Sequence, residues 1–204
     1  YYLMAIELGN TTAMNNLGNY YKNIDTDYEL MMKYYLMSIE LGHNISMYNL
    51  GHYYQYVEIN YELMKKYYLM AIELKNTTSM NNLGHYYQNI EKNYELMKKY
   101  YLMAIELKQC SAMCNLARYY QYVEKNYESM KKYYLMAAEL GNINAMLNLG
   151  HHYNSVEINY ELMKKYYLMA IELGDTTAMN NIGHHYRDIE KNYELTKKYY
   201  LMAT

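Results

Sequence analysis

The chain has 204 residues, 19 basic and 21 acidic side chains and a formal net charge of -2, with both signs interspersed, so no basic stripe recommends a nucleic acid or an anionic membrane as partner. No apolar run approaches the ~20 residues of a membrane helix, and no signal-peptide pattern opens the chain. Two cysteines, Cys110 and Cys114, are too few for a disulfide-stapled secreted scaffold and favour a reducing, cytoplasmic compartment.

The tetrapeptide Tyr-Tyr-Leu-Met begins at Tyr1, Tyr34, Tyr67, Tyr100, Tyr133, Tyr166 and Tyr199, a period of 33 residues. A unit this short cannot bury its own apolar face, so it stacks on its neighbours. The expectation is one array over 1–204, six units with both ends cut in mid-helix and no internal domain boundary. Pro, Trp and Phe are absent while Tyr reaches 33, so aromatic burial falls to a side chain whose hydroxyl needs a partner.

Along one unit, Ser79, Met80, Leu83, Gly84, Tyr87 and Ile90 share one side at helical spacing, with Asn81, His85, Gln88 and Asn89 opposite, which predicts an amphipathic first helix. Asn93 stands at an N-cap position before a second helix that runs to about Leu107, as do Asp27, Asn60, Asn126, Asn159 and Asn192 elsewhere. In that helix Tyr94, Leu96, Met97, Tyr100, Tyr101, Met103, Ala104 and Leu107 leave only a narrow polar arc, so it is covered on more than one side. Glu95 and Lys99, repeated as Glu62 and Lys66 and as Glu161 and Lys165, read as solvated i,i+4 pairs. Gly18, Gly51, Gly84, Gly150 and Gly183, with Ala117 in the fourth unit, face Ser38, Ala71, Ala104, Ala137 and Ala170 where two helices cross closely. Gly42, Gly141 and Gly174 mark helix ends. Sequons at Asn10, Asn44 and Asn76 arise readily by chance in so asparagine-rich a chain.

These residues resemble the Sel-one-like repeat of the tetratricopeptide-like solenoids. Ala13, Asn16, Leu17, Gly18 and Tyr21 fit its A-x-x-N-L-G-x-x-Y core, and Ser79, Asn82, Leu83, Gly84 and Tyr87 fit with Ser for Ala. Asp27, Tyr34, Tyr35, Ser38 and Gly42 fit its second helix. The G-x-G between the helices is missing, and Met31, Met64, Met97, Met130 or Met163 replaces an alanine. The resemblance implies an all-α, right-handed α/α superhelical solenoid of tandem 33-residue helix-turn-helix repeats. It also implies a concave groove lined by the first helices, where extended peptides bind.

Comparing the units with one another separates what stacking demands from what it leaves variable. The variable rows run through Asn15, Tyr48, Asn81, Cys114, Leu147 and Asn180; Asn19, His52, His85, Arg118, His151 and His184; Lys22, Gln55, Gln88, Gln121, Asn154 and Arg187; and Asn23, Tyr56, Asn89, Tyr122, Ser155 and Asp188. The candidate groove is Tyr48, His52, Gln55, Tyr56, Asn82, His85, Gln88, Asn115, Arg118, Tyr122, Asn148 and His151. Tyr48, Tyr56 and Tyr122 are its aromatic anchors, the last two expected about 20–40 Å apart. The invariant asparagines, among them Asn82, Asn115 and Asn148, either bond a peptide backbone or hold the stack.

Paired histidines at 151–152 and 184–185 suggest a metal, but equivalent residues of adjacent units lie roughly 8–10 Å apart, while zinc holds its ligands at about 2 Å. No metal, cofactor or catalytic constellation is expected: there is no phosphate loop, H-E-x-x-H or G-x-S-x-G. The reading is a non-enzymatic scaffold for a protein or peptide partner. Its rivals are a structural polymer that stacks end to end and a ligand binder that uses the histidine-rich face.

Overall fold

The structure, a computed structural model, describes residues 2–204, so Tyr1 at the head of the first Tyr-Tyr-Leu-Met copy lies outside the described residues. Among the described residues every regular element is helical. They form two compact units, Tyr1–Gln109 and Cys110–Thr204. The first unit holds α1 (Tyr2–Glu7), α2 (Thr11–Tyr20), α3 (Tyr28–Glu40), α4 (Asn44–Tyr56), α5 (Tyr61–Glu73), α6 (Thr77–Asn89) and α7 (Tyr94–Glu106). The second holds α8 (Cys110–Tyr119), α9 (Tyr127–Glu139), α10 (Ile143–Ser155), α11 (Tyr160–Glu172), α12 (Thr176–Asp188) and α13 (Tyr193–Met202). In each unit the even-numbered helix pairs with the next to make a hairpin, and hairpins join through packing such as α3 on α4 and α9 on α10.

Local chemistry sets the helix boundaries. The side chains of Asp27, Asn60, Asn93, Asn126, Asn159 and Asn192 each accept a hydrogen bond from the backbone N–H three residues on, a cap worth ~1 kcal/mol. Second helices end where Gly42, Gly141 and Gly174 take φ of 79–82°, and Lys75 and Lys108 do the same at 59° and 60°. Inside each hairpin the N-cap residue's N–H reaches back six residues, as from Asn60 to the Tyr54 carbonyl at 2.8 Å. The preceding residue, Thr26, Ile59, Lys92, Lys125, Ile158 or Lys191, is left-handed with φ of 49–56°. After α2 and α8 that turn widens into π-type segments, Tyr21–Asp25 and Tyr120–Glu124.

Stacked phenols fill the hairpins. Tyr35, Tyr68, Tyr101 and Tyr134 are fully buried, beside fully buried Met31, Met64, Met97 and Met130. The glycines of the first helices explain the fit: a Cβ on Gly18, Gly51 or Gly84 would meet the ring of Tyr35, Tyr68 or Tyr101 at 2.6–2.7 Å. Beside this layer Tyr54 stacks on Tyr67 and Tyr87 on Tyr100, centroids 5.7 and 5.6 Å apart and planes within 5°, with Lys66 and Lys99 ammonium groups over the second rings.

Three expectations need correction. Ile90 is exposed, and Tyr86 is buried in its stead, because the hairpin closes on the turn and on the following helix together. Tyr94 and Leu107 lie at the ends of α7 and are partly open, while Ile105 is buried. Glu62, Glu128 and Glu161 pair with Lys65, Lys131 and Lys164 at i,i+3, not at i,i+4, since Lys66 and Lys165 are drawn to tyrosine rings.

Candidate functional site

In the first unit, α4 and α6 carry the expected face residues. Tyr48 is half-buried, its ring 6.1 Å from Tyr68 and nearly parallel to it, and burial raises its phenol pKa. His52 lies between Tyr48 and Tyr56, centroids 5.9 and 4.6 Å away. Burial first, then the Lys22 charge, lowers the His52 pKa, so its ring is neutral at pH 7. Tyr56 is 55% exposed, and His85 is open to solvent. Gln55 is buried, and its Oε1 accepts from the Tyr68 hydroxyl at 2.6 Å. Gln88 accepts likewise from Tyr101 at 3.0 Å. These glutamines satisfy the phenols of the core, so the variable row they occupy is largely structural.

In the first unit, invariant asparagines bond across the stack. Asn82 Nδ2 donates to the Tyr68 hydroxyl at 3.4 Å, and Asn49 Nδ2 to Asn15 Oδ1 at 2.9 Å, each in the preceding repeat. A recess of about 250 Å³ opens here, lined by Gln55, Tyr56, Ile59, Tyr61, His85 and Asn89. Ile59 and Tyr61 belong to the turn and the second helix, and sequence reasoning missed them. Ile90, one of a row of exposed aliphatic residues at the turns (Ile24, Val57, Ile90, Val123, Val156, Ile189), completes the lining.

The second unit has two larger recesses. One, of about 460 Å³, is lined by residues that include Cys114, Asn115, Arg118, Asn144 and Asn148. The other, of about 300 Å³, is lined by residues that include His151, Asn154, Asn181, His184 and Asp188. Arg118 is exposed, and its Nη2 donates to Asn115 Oδ1 at 2.5 Å. Asn148 Nδ2 donates to the Asn144 carbonyl at 2.7 Å within its own helix. Tyr122 is 62% exposed and lines neither recess. Burial pushes the Cys114 thiol up to about 11, with Cys110 adding to the shift, so it stays protonated and unreactive.

The histidine pairs divide. His151 and His184 are exposed, whereas His152 and His185 are buried with Nε2 3.0 Å from Glu157 and Glu190. They take the place of Tyr86, whose hydroxyl donates to Glu91 at 2.8 Å. Lys65, Lys131 and Lys164 of the preceding second helices grip the same three carboxylates, so each cluster clasps consecutive repeats. Among the described residues no three His, Cys, Asp or Glu converge as a metal site would require, and no helix is long and apolar enough to cross a membrane.

The Sel1 repeat profile matches residues 11–43, 44–76, 77–108, 110–142, 143–175 and 176–204. Among solved structures, a protective antigen of uropathogenic Escherichia coli displaying an SLR fold is 22% identical, with a TM-score of 0.72 over 99% of this chain and 47% of that one. This chain therefore spans about half the length of that relative. A Sel1 repeat protein from Oxalobacter formigenes is 21% identical, with a TM-score of 0.73 over 96% and 88% of the two chains. An immunity protein from Pseudomonas aeruginosa is 22% identical, with a TM-score of 0.54 over 95% and 81%. At these identities the likeness is one of fold. No curated protein matches the chain significantly.

Proposed function

Because the chain belongs to the Sel1 repeat family, whose members serve generally as scaffolds for protein interactions and are typically non-catalytic, we propose that it binds an extended peptide segment of a protein partner along its first helices. The observation that carries this reading is the set of recesses between successive first helices in both units, edged by side chains that the packing leaves outward: Tyr56 and His85 in the first, Arg118, His151 and His184 in the second. Tyr56 and Tyr122 are rigid, amphipathic and exposed, the kind of side chain that anchors an interface, and each contributes more than ~1 kcal/mol when it does so.

Peptide-display panning on the chain identifies a ligand, and substitution then tests the surface. Tyr56→Ala and Tyr122→Ala each weaken binding without lowering the melting temperature, while Lys66→Ala, on a second helix, leaves binding unchanged. Undiminished binding in the Tyr56/Tyr122 double variant would move the interaction off this face.

A further inference from the structure

The first helix of the fourth repeat departs from its counterparts at three neighbouring positions. Cys114 stands where other repeats have Asn15, Tyr48, Asn81, Leu147 and Asn180. Ala117 stands where they have glycine, and Arg118 where they have asparagine or histidine. The consequences meet in the recess of about 460 Å³. In the second repeat the Tyr48 ring lies against Tyr68; at the same position in the fourth, the short Cys114 side chain lines the recess beside Tyr134.

Ala117 adds a methyl group where the other buried rings meet glycine, and the Tyr134 hydroxyl ends 3.5 Å from Gln121 Oε1. The equivalent bonds are 2.6 Å for Tyr68 to Gln55 and 3.0 Å for Tyr101 to Gln88. An O–H···O contact of 3.5 Å lies outside the normal range, so the fully buried phenol that floors the recess is only weakly held by its glutamine. Arg118 is the one formally charged residue in the lining. Its bond to Asn115 uses Nη2 and holds the guanidinium plane while other donors remain for a planar anion. Asn142 Oδ1 accepts from Ala145 N–H at 2.9 Å and from the Cys114 thiol at 3.5 Å, which leaves its Nδ2 hydrogens to serve a ligand.

An arginine fork and a carboxamide N–H in a recess without a carboxylate suit an acidic group. We propose that this recess receives a carboxylate of the bound peptide, from an Asp or Glu side chain or from the C-terminus, with Arg118 as its charged partner and the Asn142 amide as a donor. The inference rests on the first-helix reading above and adds to it the chemistry that the fourth repeat selects.

The test is an NMR titration of the isotope-labelled chain with three probes: acetyl-Gly-Glu-Gly-amide, acetyl-Gly-Gly-Gly with a free C-terminus, and acetyl-Gly-Gln-Gly-amide. The expected result is saturable movement of the Arg118 Nε–H and Asn142 side-chain signals with at least one carboxylate probe, bound on the order of tenfold more tightly than the glutamine probe. Which carboxylate probe binds distinguishes side chain from C-terminus. Arg118→Gln removes the preference, and Arg118→Lys retains part of it. Equal response to the glutamine probe, or a carboxylate preference that survives Arg118→Gln, overturns the inference and leaves the first-helix reading intact. Silence of every first helix toward all three probes counts against both.

Discussion

A Cβ added to Gly84 would lie 2.7 Å from Cδ1 of Tyr101. Glycine here lets the phenol ring occupy the volume that a Cβ would fill, whereas the fourth repeat fits Ala117 at the same place with Tyr134 held farther from its glutamine. Gly84→Ala gains about 0.5–1 kcal/mol of helix propensity and meets an overpacking cost of typically 1–3 kcal/mol. A net loss of about 1–2 kcal/mol is expected in chemical denaturation, together with movement of the Tyr101 ring signals. A neutral or stabilising effect would show that the ring yields freely.

Two positions one residue either side of Gly84 should behave oppositely. Leu83 is fully buried and His85 is exposed. Leu83→Ala is expected to cost about 2–5 kcal/mol, and His85→Ala to stay within roughly ±0.5 kcal/mol. Denaturant melts decide it, and similar losses at both would mean that the helix faces are misassigned.

The left-handed residues of the hairpin turns give a stabilising prediction. Ile59 and Ile158 are β-branched, with φ of 54° and 49° and side chains mostly in solvent. That conformation costs an L-residue about 1–2 kcal/mol, more than the added chain entropy of glycine. Ile59→Gly and Ile158→Gly should each raise stability by roughly 0.5–1 kcal/mol, read as a higher melting temperature. A fall would reveal a packing role for the isoleucine.

The inter-repeat clasps set an acid limit. The Lys131 ammonium and then the His152 ring hold Glu157 below the usual carboxylate range, and the Tyr86 hydroxyl with Lys65 does so for Glu91. A depressed folded pKa gives stability that is present above about pH 4.3, the unfolded value, and is lost as pH falls through the folded one. Both carboxylates are about one-third exposed, so screening keeps each contribution below about 1 kcal/mol. Glu91→Gln/Glu157→Gln should lower the melting temperature slightly at neutral pH and flatten its decline in acid. An unchanged acid slope would mean that other carboxylates govern it.

Much of the fold could be read directly. The 33-residue period gave the repeats, the residues at 27, 60, 93, 126, 159 and 192 are the caps expected, and Gly42, Gly141 and Gly174 end helices as placed. What escaped depends on partners distant in sequence. Gln55 looks like any surface glutamine until Tyr68 is brought to it. Lys65 is preferred to Lys66 as an ion-pair partner because Glu91 approaches from the following repeat, a choice invisible in one helix. Tyr134 carries an ordinary tyrosine's sequence signature, and only its distance from Gln121 sets it apart.

The buried phenols also bound the chain on the alkaline side. Burial raises Tyr35 and Tyr167 to about 12 and pushes Tyr68 and Tyr134 higher still. A group that holds its proton more tightly when folded contributes stability below its unfolded pKa, near 10 for tyrosine, and withdraws it as pH climbs through the folded value. With no tryptophan in the sequence, phenolate absorbance reports this directly. The interior rings ionise in one late step as the helical signal collapses, so base dissolves the fold by charging the same rings that hold its hairpins together.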